Sequence, residues 1–596
     1  MIRCIIINHL IYMKKIITAA ILALLPGFFY SNARAQFTLL SNFSANQTGG
    51  FSAGEITAFD KGSGRLFVTS SGSNVHRLNI FNLSNPSAPT EIGVPIDFST
   101  TFGAANNMLS LSSVAVNTAK GFGVATLIPT ANTTTLGRIG FFDLATGTNL
   151  GSIAVGFHPD SVIFSPDGSK IVVVNEGEFN SSSSTNAPGS ISVVDVSSIN
   201  SGNLANLTTL SPVTRDFSAG NLGTGASLSG IRNHNVAAIG TSGVFIANVQ
   251  DFTLAANQNF LAIEPEYASI SGDKVYVSLQ ENNAIGVFDL TTEKWTQISS
   301  LGTINQLIDA TDQNSSGAAD NAISISQTVA GLPMPDTVAT YTVGGKTYVI
   351  TANEGDARGD DRDVSRFGSI TGNSNMNPII DTNAPSNFPT NQTGVRAPDQ
   401  LGRLTVSRLD GDTDADGKID LPTMIGTRSF TIWEDTGAGL VKTYDSGSFF
   451  ETYIRDFDSA SWVDSRSDDK GPEPEGLALG SFDGKTFAFI SMERQAGIFM
   501  FDITNPESPS FVDYIRIATG SIPLRPEGML FVSAADSPNG QNLLIVAYEG
   551  DGNSALNERV AVFSVVPEPS TAGLLLAVSS FATIFRRKRL ARANKP

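Results

Sequence analysis

Asp412-Thr-Asp414-Ala-Asp416-Gly417-Lys418-Ile419-Asp420 carries the most specific chemistry in the chain. Carboxylates stand at positions 1, 3, 5 and 9, and glycine stands at 6. Lys418 offers a backbone carbonyl at 7 and Ile419 an apolar side chain at 8. Oxygen donors at that spacing wrap a Ca2+ ion. The twelfth position is Thr423, where an EF-hand carries a bidentate glutamate, and no flanking helices are evident. The expectation is therefore an isolated, weaker calcium loop that pins a long insertion. The alternative is a solvated acidic turn.

A second set of acids recurs in register. Glu55, Asp160, Glu266, Asp336, Glu475 and Glu527 each open an apolar strand phrase; Ser112-Ser113 takes that place in one unit. Glu176, Glu281, Glu354, Glu493 and Glu549 each close the strand that follows. Three of these sit in the phrases Glu176-Gly177-Glu178, Glu354-Gly355-Asp356 and Glu549-Gly550-Asp551, where glycine permits a tight turn. Carboxylates confined together repel one another, which raises their pKa values and favours hard cations such as Ca2+ or Mg2+. The competing reading is mechanical: each acid accepts backbone N–H groups from the neighbouring unit and fastens the fold.

The elements that position these acids repeat. Seven units begin near Gly54, Ser112, Pro159, Pro265, Pro335, Pro474 and Pro526. Each reads as a short apolar strand, a turn rich in Gly, Asp or Asn, and a second apolar strand. Most add a third strand with a near-constant ending, as in IGFFDL, ISVVDV, IGVFDL and IFMFDI. Strand–turn–strand units at regular spacing predict an all-β, seven-bladed β-propeller, with each first strand lining a central channel. A pair of β-sandwiches accounts for the repeat less well. Two long loop insertions are expected, at about residues 179–263 and 357–470. Long loops on a rigid scaffold carry function more often than the scaffold does.

Composition bounds the partners. The 596 residues are 41% hydrophobic and only 16% charged, with a net charge of −18. Such a balance disfavours nucleic acid and favours cations. Cys4 is the only cysteine, and it lies in a segment expected to be removed, so disulfide and thiol chemistry are excluded. His76, His158 and His234 are far apart in sequence, which argues against a histidine-rich zinc site.

Both ends read as targeting segments. Lys14 and Lys15, the apolar run Ile16–Leu25 and Ala33-Arg34-Ala35 form a signal peptide over residues 1–35, with Met13 the better start and signal peptidase the processing partner. At the other end, residues 567–596 hold Pro567-Glu568-Pro569, an apolar segment over 572–585 and the basic cluster Arg586–Arg589. The apolar segment is shorter than the ~20 residues of a stable helical span. This order resembles the PEP-CTERM sorting signal. The resemblance implies export in a Gram-negative bacterium, transient membrane association, and cleavage by an exosortase. It also implies residence at the cell surface or in an exopolysaccharide matrix.

Residues 36–566 carry a further resemblance. The phrases MPDTVATYTVGGKTYVITANEGDAR (334–358), DDKGPEPEGLALG (468–480), SMERQAGIFMFDITNPESPSFVDY (491–514) and RPEGML (525–530) resemble the choice-of-anchor I family. That family is similar to mesenchyme-specific cell-surface glycoproteins linked to biomineralisation, and some bacterial relatives have been called atypical alkaline phosphatases. The resemblance implies a propeller at the cell surface. Two functions follow as expectations. One is a non-catalytic calcium-binding protein of adhesion or matrix. The other is a calcium-dependent phosphoester hydrolase, with Glu354, Asp356, Arg358, Glu475, Glu493 and Arg494 as its candidate residues. A frequent family ending, Asn-Glu-Val-Ser-Gly, is here Tyr548-Glu549-Gly550-Asp551-Gly552, which puts activity at that corner in doubt.

Overall fold

Proline opens the innermost strand in four of the repeats, and an acid follows it: Pro159–Phe164, Pro265–Ser271, Pro474–Phe482 and Pro526–Val532. Proline has no N–H to give to a ladder, so it is tolerated at a strand start or a bulge. In all four strands the pairing slips by one residue just after the proline, between Pro159 and Ser161, Pro265 and Ala268, Pro474 and Leu477, and Pro526 and Met529. A bulge re-aims the side chain it contains. Here the re-aimed residues are the recurrent acids.

The second and third strands of each repeat are covered on both faces and read as continuous apolar runs. Lys170–Asn175, for example, is buried at every position after the first. The recurring aspartate of the third-strand phrase has a local task. Asp143 accepts N–H bonds from Ala145 and Thr146, Asp289 from Thr291 and Thr292, and Asp502 from Thr504, all at 2.7–3.0 Å. It ends the strand in an Asx turn.

The structure, a computed structural model, describes residues 36–44, 55–72, 75–104, 107–177, 179–180, 185–233, 238–239, 245–247, 260–358, 363–370, 394–414, 418–519, 522–549 and 558–566. Among them are seven antiparallel sheets of four or five strands, numbered 1 to 7 here by their innermost strands: Thr57–Asp60, Val114–Asn117, Pro159–Phe164, Pro265–Ser271, Val338–Val343, Pro474–Phe482 and Pro526–Val532. Each innermost strand touches the next in chain order, and the last touches the first. That closed succession makes a β-propeller. Sheet 7 takes its outermost strand, Gln36–Ser44, from the start of the described chain and its next, Arg559–Val566, from the end. The core lies between adjacent sheets. Phe122, Phe141, Ile171 and Val194 pack sheet 2 on sheet 3, and Val68, Phe81, Ile545 and Val562 pack sheet 1 on sheet 7.

The insertions are narrower than the sequence indicates. Ser190–Asp195 and Val213–Asp216, within 179–263, are the outer strands of sheet 3. Phe430–Asp435 and Leu440–Asp445, within 357–470, are the outer strands of sheet 5. The second insertion also recruits an earlier segment. Ile304–Asp309 and Ile325–Leu332 pair with Thr423–Ile425 in a three-stranded sheet over a small core that includes Ile308, Val329, Phe367, Leu404 and Met424. The buried run Val329, Ala330, Gly331 and Leu332 lies where the strand pairs with Thr423–Ile425 of the insertion.

The chain divides into two units, residues 37–565 and the two ends, 1–36 with 566–596; of the second, only Gln36 and Val566 are described. The expected signal peptide and sorting signal lie outside the described residues. No helix among the described residues is long and apolar enough to cross a membrane.

Candidate functional site

A cavity of about 240 Å3 lies on the axis, lined by residues from each of the seven sheets, among them Ser113, Ser161, Tyr267, Asp336, Gly476 and Glu527. Close approach of the inner strands keeps it narrow. A Cβ on Gly476 would stand 2.1 Å from the carbonyl oxygen of Glu527, and glycine alone fits there.

Hydroxyls and backbone groups fasten neighbouring sheets at this level. Ser112 Oγ donates to the Asp160 carbonyl (2.8 Å), and Ser113 Oγ accepts the Val162 N–H (3.2 Å). Ser161 Oγ donates to the Glu266 carbonyl (2.6 Å), and Ser269 Oγ accepts the Thr340 N–H (3.0 Å). Ser491 Oγ donates to the Pro526 carbonyl (3.3 Å), and the Gly528 N–H to the Glu55 carbonyl (3.0 Å). None of these bonds uses a ring carboxylate. Neighbouring sheets are fastened here by serine hydroxyls and by backbone groups, among them the carbonyls of the acids themselves.

The carboxyls themselves are poorly satisfied. Glu266 Oε2, Glu281 Oε2 and Glu475 Oε2 are buried without a hydrogen-bond partner. Burial first, and then the charge of Glu549 and Asp160, pushes Glu55 up to about 8. Burial and Glu354 push Asp336 to about 8. Glu266, Glu475 and Glu527 lie well above the ordinary carboxylate range, again through burial and then their acidic neighbours. These groups are enclosed by protein yet keep partial contact with water through the channel.

Two layers of acid meet at one end of the channel. The strand-end N–H groups of Glu176, Glu493 and Glu549 donate to the carbonyls of His158, Glu473 and Arg525 at 2.8–2.9 Å. Each of those three residues precedes the Pro-acid pair, so every such sheet presents a third position beside its two acids. That position is His158, Glu264, Met334, Glu473 or Arg525. Inspection of the acids alone misses it; the residue before each recurrent proline is the signal that would have found it. His158, Met334 and Glu473 share a left-handed backbone, with φ of 47°, 43° and 57°.

On the side of sheets 5 and 6, oxygens of Glu354, Glu475 and Glu493 lie within 4.8 Å of one another. Lys470 Nζ donates to Glu354 Oε1 at 2.6 Å, Gln280 to Glu354 Oε2 at 3.1 Å, and Arg494 pairs with Glu493 at 2.8 Å. Burial still raises Glu354 above its ordinary value, and raises Glu493 to about 7 against the pull of Arg494. Glu473 is fully buried and accepts from Arg466 (2.6 Å) and Arg494 (2.9 Å), with Lys470 Nζ at 3.6 Å. At Gly355, φ 80°, a Cβ would stand 2.1 Å from the Gly426 nitrogen, so only glycine turns here.

The structure therefore brings Glu354, Glu475, Glu493 and Arg494 together. Asp356 stands at the edge, with 54% of its side chain exposed and Lys470 at 3.6 Å. Arg358 is elsewhere: it is buried against Glu264 at 3.1 Å and donates to the Ala262 carbonyl, so its guanidinium is held away from this group. In the insertion, oxygens of Asp412, Asp414 and Asp420 lie within 4.8 Å of one another. Thr413 donates to Asp420 Oδ2 through N–H (2.8 Å) and hydroxyl (2.6 Å), and the Asp420 N–H closes the loop on the Gly411 carbonyl (2.9 Å). Lys418 is described; Asp416 lies outside the described residues. An all-oxygen donor set of this kind fits Ca2+.

Fold and site define an all-β propeller protein with an acidic axial channel. The chain belongs to the choice-of-anchor I domain family, which matches residues 55–506. Gigasin-3a of Magallana gigas is 26% identical over 197 residues, covering 28% of this chain and 68% of that protein. Among solved structures, the Myceliophteria thermophila Cps50 (Swd1) β-propeller domain is similar at 7% identity and TM-score 0.40, covering 88% of this chain and 100% of that one. Kuenenia stuttgartiensis hydrazine synthase is similar at 12% identity and TM-score 0.39, covering 88% and 99%. The fold assignment rests on the strand pairing described above, not on these distant likenesses.

Proposed function

We propose that the chain is an exported, surface- or matrix-associated protein whose seven sheets are the blades of one propeller, and that it binds divalent cations in a non-catalytic, adhesive role. Calcium is the cation of the Asp412–Asp420 loop, and the acidic channel is a second place for hard cations. The observation that carries this reading is the convergence of Asp412, Asp414 and Asp420 within 4.8 Å. The expected contacts at the surface are exopolysaccharide or other matrix components. Calorimetric titration with Ca2+ tests it. Asp414 is exposed, so Asp414→Asn leaves folding intact and is expected to weaken calcium binding about tenfold or more. Unchanged affinity in that variant would remove the loop from the account.

A second reading, a calcium-dependent phosphoester hydrolase, is favoured by one feature. Lys470, Arg494 and Arg525 rim the Glu354, Glu475 and Glu493 group, so cation ligands and phosphate-binding charges stand side by side. Hydrolysis of p-nitrophenyl phosphate with Ca2+, Mg2+ or Fe3+, lost in Glu475→Gln, would support it. Absence of turnover with all three metals leaves the binding role.

A further inference from the structure

The two sides of the channel end neutralise their acids unequally: on the side of sheets 3 and 4, Arg358 pairs with Glu264. On the side of sheets 5 and 6, Lys470, Arg466 and Arg494 neutralise the buried acids. On the side of sheets 3 and 4, Glu266 and Glu281 take part in no ion pair among the described residues. Glu281 is 6% exposed, and its Oε2 is buried with no hydrogen-bond partner. After burial and Glu264, the charge acting most on Glu281 is Glu176; Glu266 feels Glu281, Glu176 and Asp160 together.

Sheet 3 also brings an imidazole to this end of the channel. His158, Asp160 and Glu176 each bring a donor atom within 4.8 Å of the others'. His158 Nδ1 is 3.4 Å from Glu176 Oε2 and 3.2 Å from the Asn132 amide nitrogen. The Glu176 N–H donates to the His158 carbonyl at 2.8 Å, which ties the two donor-bearing loops together. Among the positions that precede a Pro-acid pair, only that of sheet 3 supplies a ring nitrogen.

We propose that His158, Asp160 and Glu176 of sheet 3 bind a divalent transition-metal ion of the Zn2+ type. One nitrogen and two carboxylate donors suit a borderline metal, whereas Ca2+ prefers oxygen donors alone. The ion supplies the positive charge that Lys470 and the arginines supply across the channel. Asn132 orients the imidazole from outside the donor set. The site uses residues distant in sequence from the calcium loop and stands or falls independently of it.

Co2+ is the probe, because its visible absorption reports the donor set, and Zn2+ is the competitor. The chelator-treated protein is expected to bind one equivalent of Co2+ with a visible band that Zn2+ abolishes and a hundredfold excess of Ca2+ does not. His158→Asn keeps a residue that tolerates the left-handed backbone, and is expected to shift the band and weaken Co2+ about tenfold or more. Glu176→Gln, which leaves the loop backbone untouched, is expected to weaken it likewise. Asp414→Asn is expected to leave Co2+ binding unchanged while weakening Ca2+. The proposal is overturned if no saturable Co2+ or Zn2+ binding appears. It is equally overturned if a folded His158→Asn, or Glu176→Gln should that variant misfold, binds Co2+ like the parent protein.

Discussion

Replacing Glu473 by glutamine is expected to destabilise the protein by about 3–5 kcal/mol, while the same change two residues later, Glu475→Gln, is expected to be neutral or stabilising without added cation. Glu473 has no exposed surface and is the shared acceptor of Arg466 and Arg494, with Lys470 nearby. Its amide counterpart would turn an NH2 toward one of these donors and leave buried positive charge uncompensated. Glu475 is surrounded by Glu354, Glu527, Glu493 and Asp336, and its Oε2 has no partner. Removing its titratable charge relieves repulsion from these acids. The same substitution should weaken cation binding, since Glu475 is central to the Glu354 and Glu493 group. Denaturant midpoints of both variants, with and without Ca2+, check the opposite signs. A loss of stability in cation-free Glu475→Gln comparable to that of Glu473→Gln would show that both glutamates are structural.

The cation-free protein is expected to lose stability as pH rises from about 5 to 8.5. Glu55 and Asp336 hold their protons up to about 8, and Glu493 up to about 7, against ordinary values of 4.5 and 3.8. A carboxyl that binds its proton more tightly folded than unfolded stabilises the fold below its ordinary pKa, and that contribution disappears as pH passes the raised value. A tenfold change in proton affinity is worth about 1.4 kcal/mol, and these three groups carry several such steps between them. Asp458, held low by Arg516 and Tyr514, acts with the opposite sign and only in acid. Divalent cations compete with the protons, so saturating Ca2+ should restore stability at pH 8 and change little at pH 5. Thermal or denaturant unfolding across this range, with and without Ca2+, checks it. Stability that rises between pH 5 and 8 in the absence of cation would contradict the account.

The repeat was legible because its local signals agree. A Pro-acid opening, a Gly or Asp turn and an Asx-ending phrase recur in a fixed order, and each performs the same task in every sheet that carries it. The ring acids were legible for the same reason. What the sequence hid depends on contacts between sheets. Ser161 and Ser491 look like ordinary strand residues until their hydroxyls are seen on the next sheet's carbonyls. Glu473 and His158 occupy equivalent positions but differ in partners, one among three basic side chains and the other among carboxylates. Arg358 is adjacent in sequence to Glu354 and Asp356, yet the fold turns it onto Glu264. The strands at 304–332 were missed because their cover arrives only with residues of the later insertion.

The most direct measurement is a Ca2+ titration of the purified protein at pH 7, run by calorimetry in two buffers of different ionisation enthalpy. If raised carboxyls of the channel hold cations, binding is saturable, the apparent heat differs between buffers because protons are released, and Glu475→Gln diminishes that release. Absence of saturable heat up to millimolar Ca2+, or binding with no proton release in either the parent or the variant, would contradict a cation-binding channel.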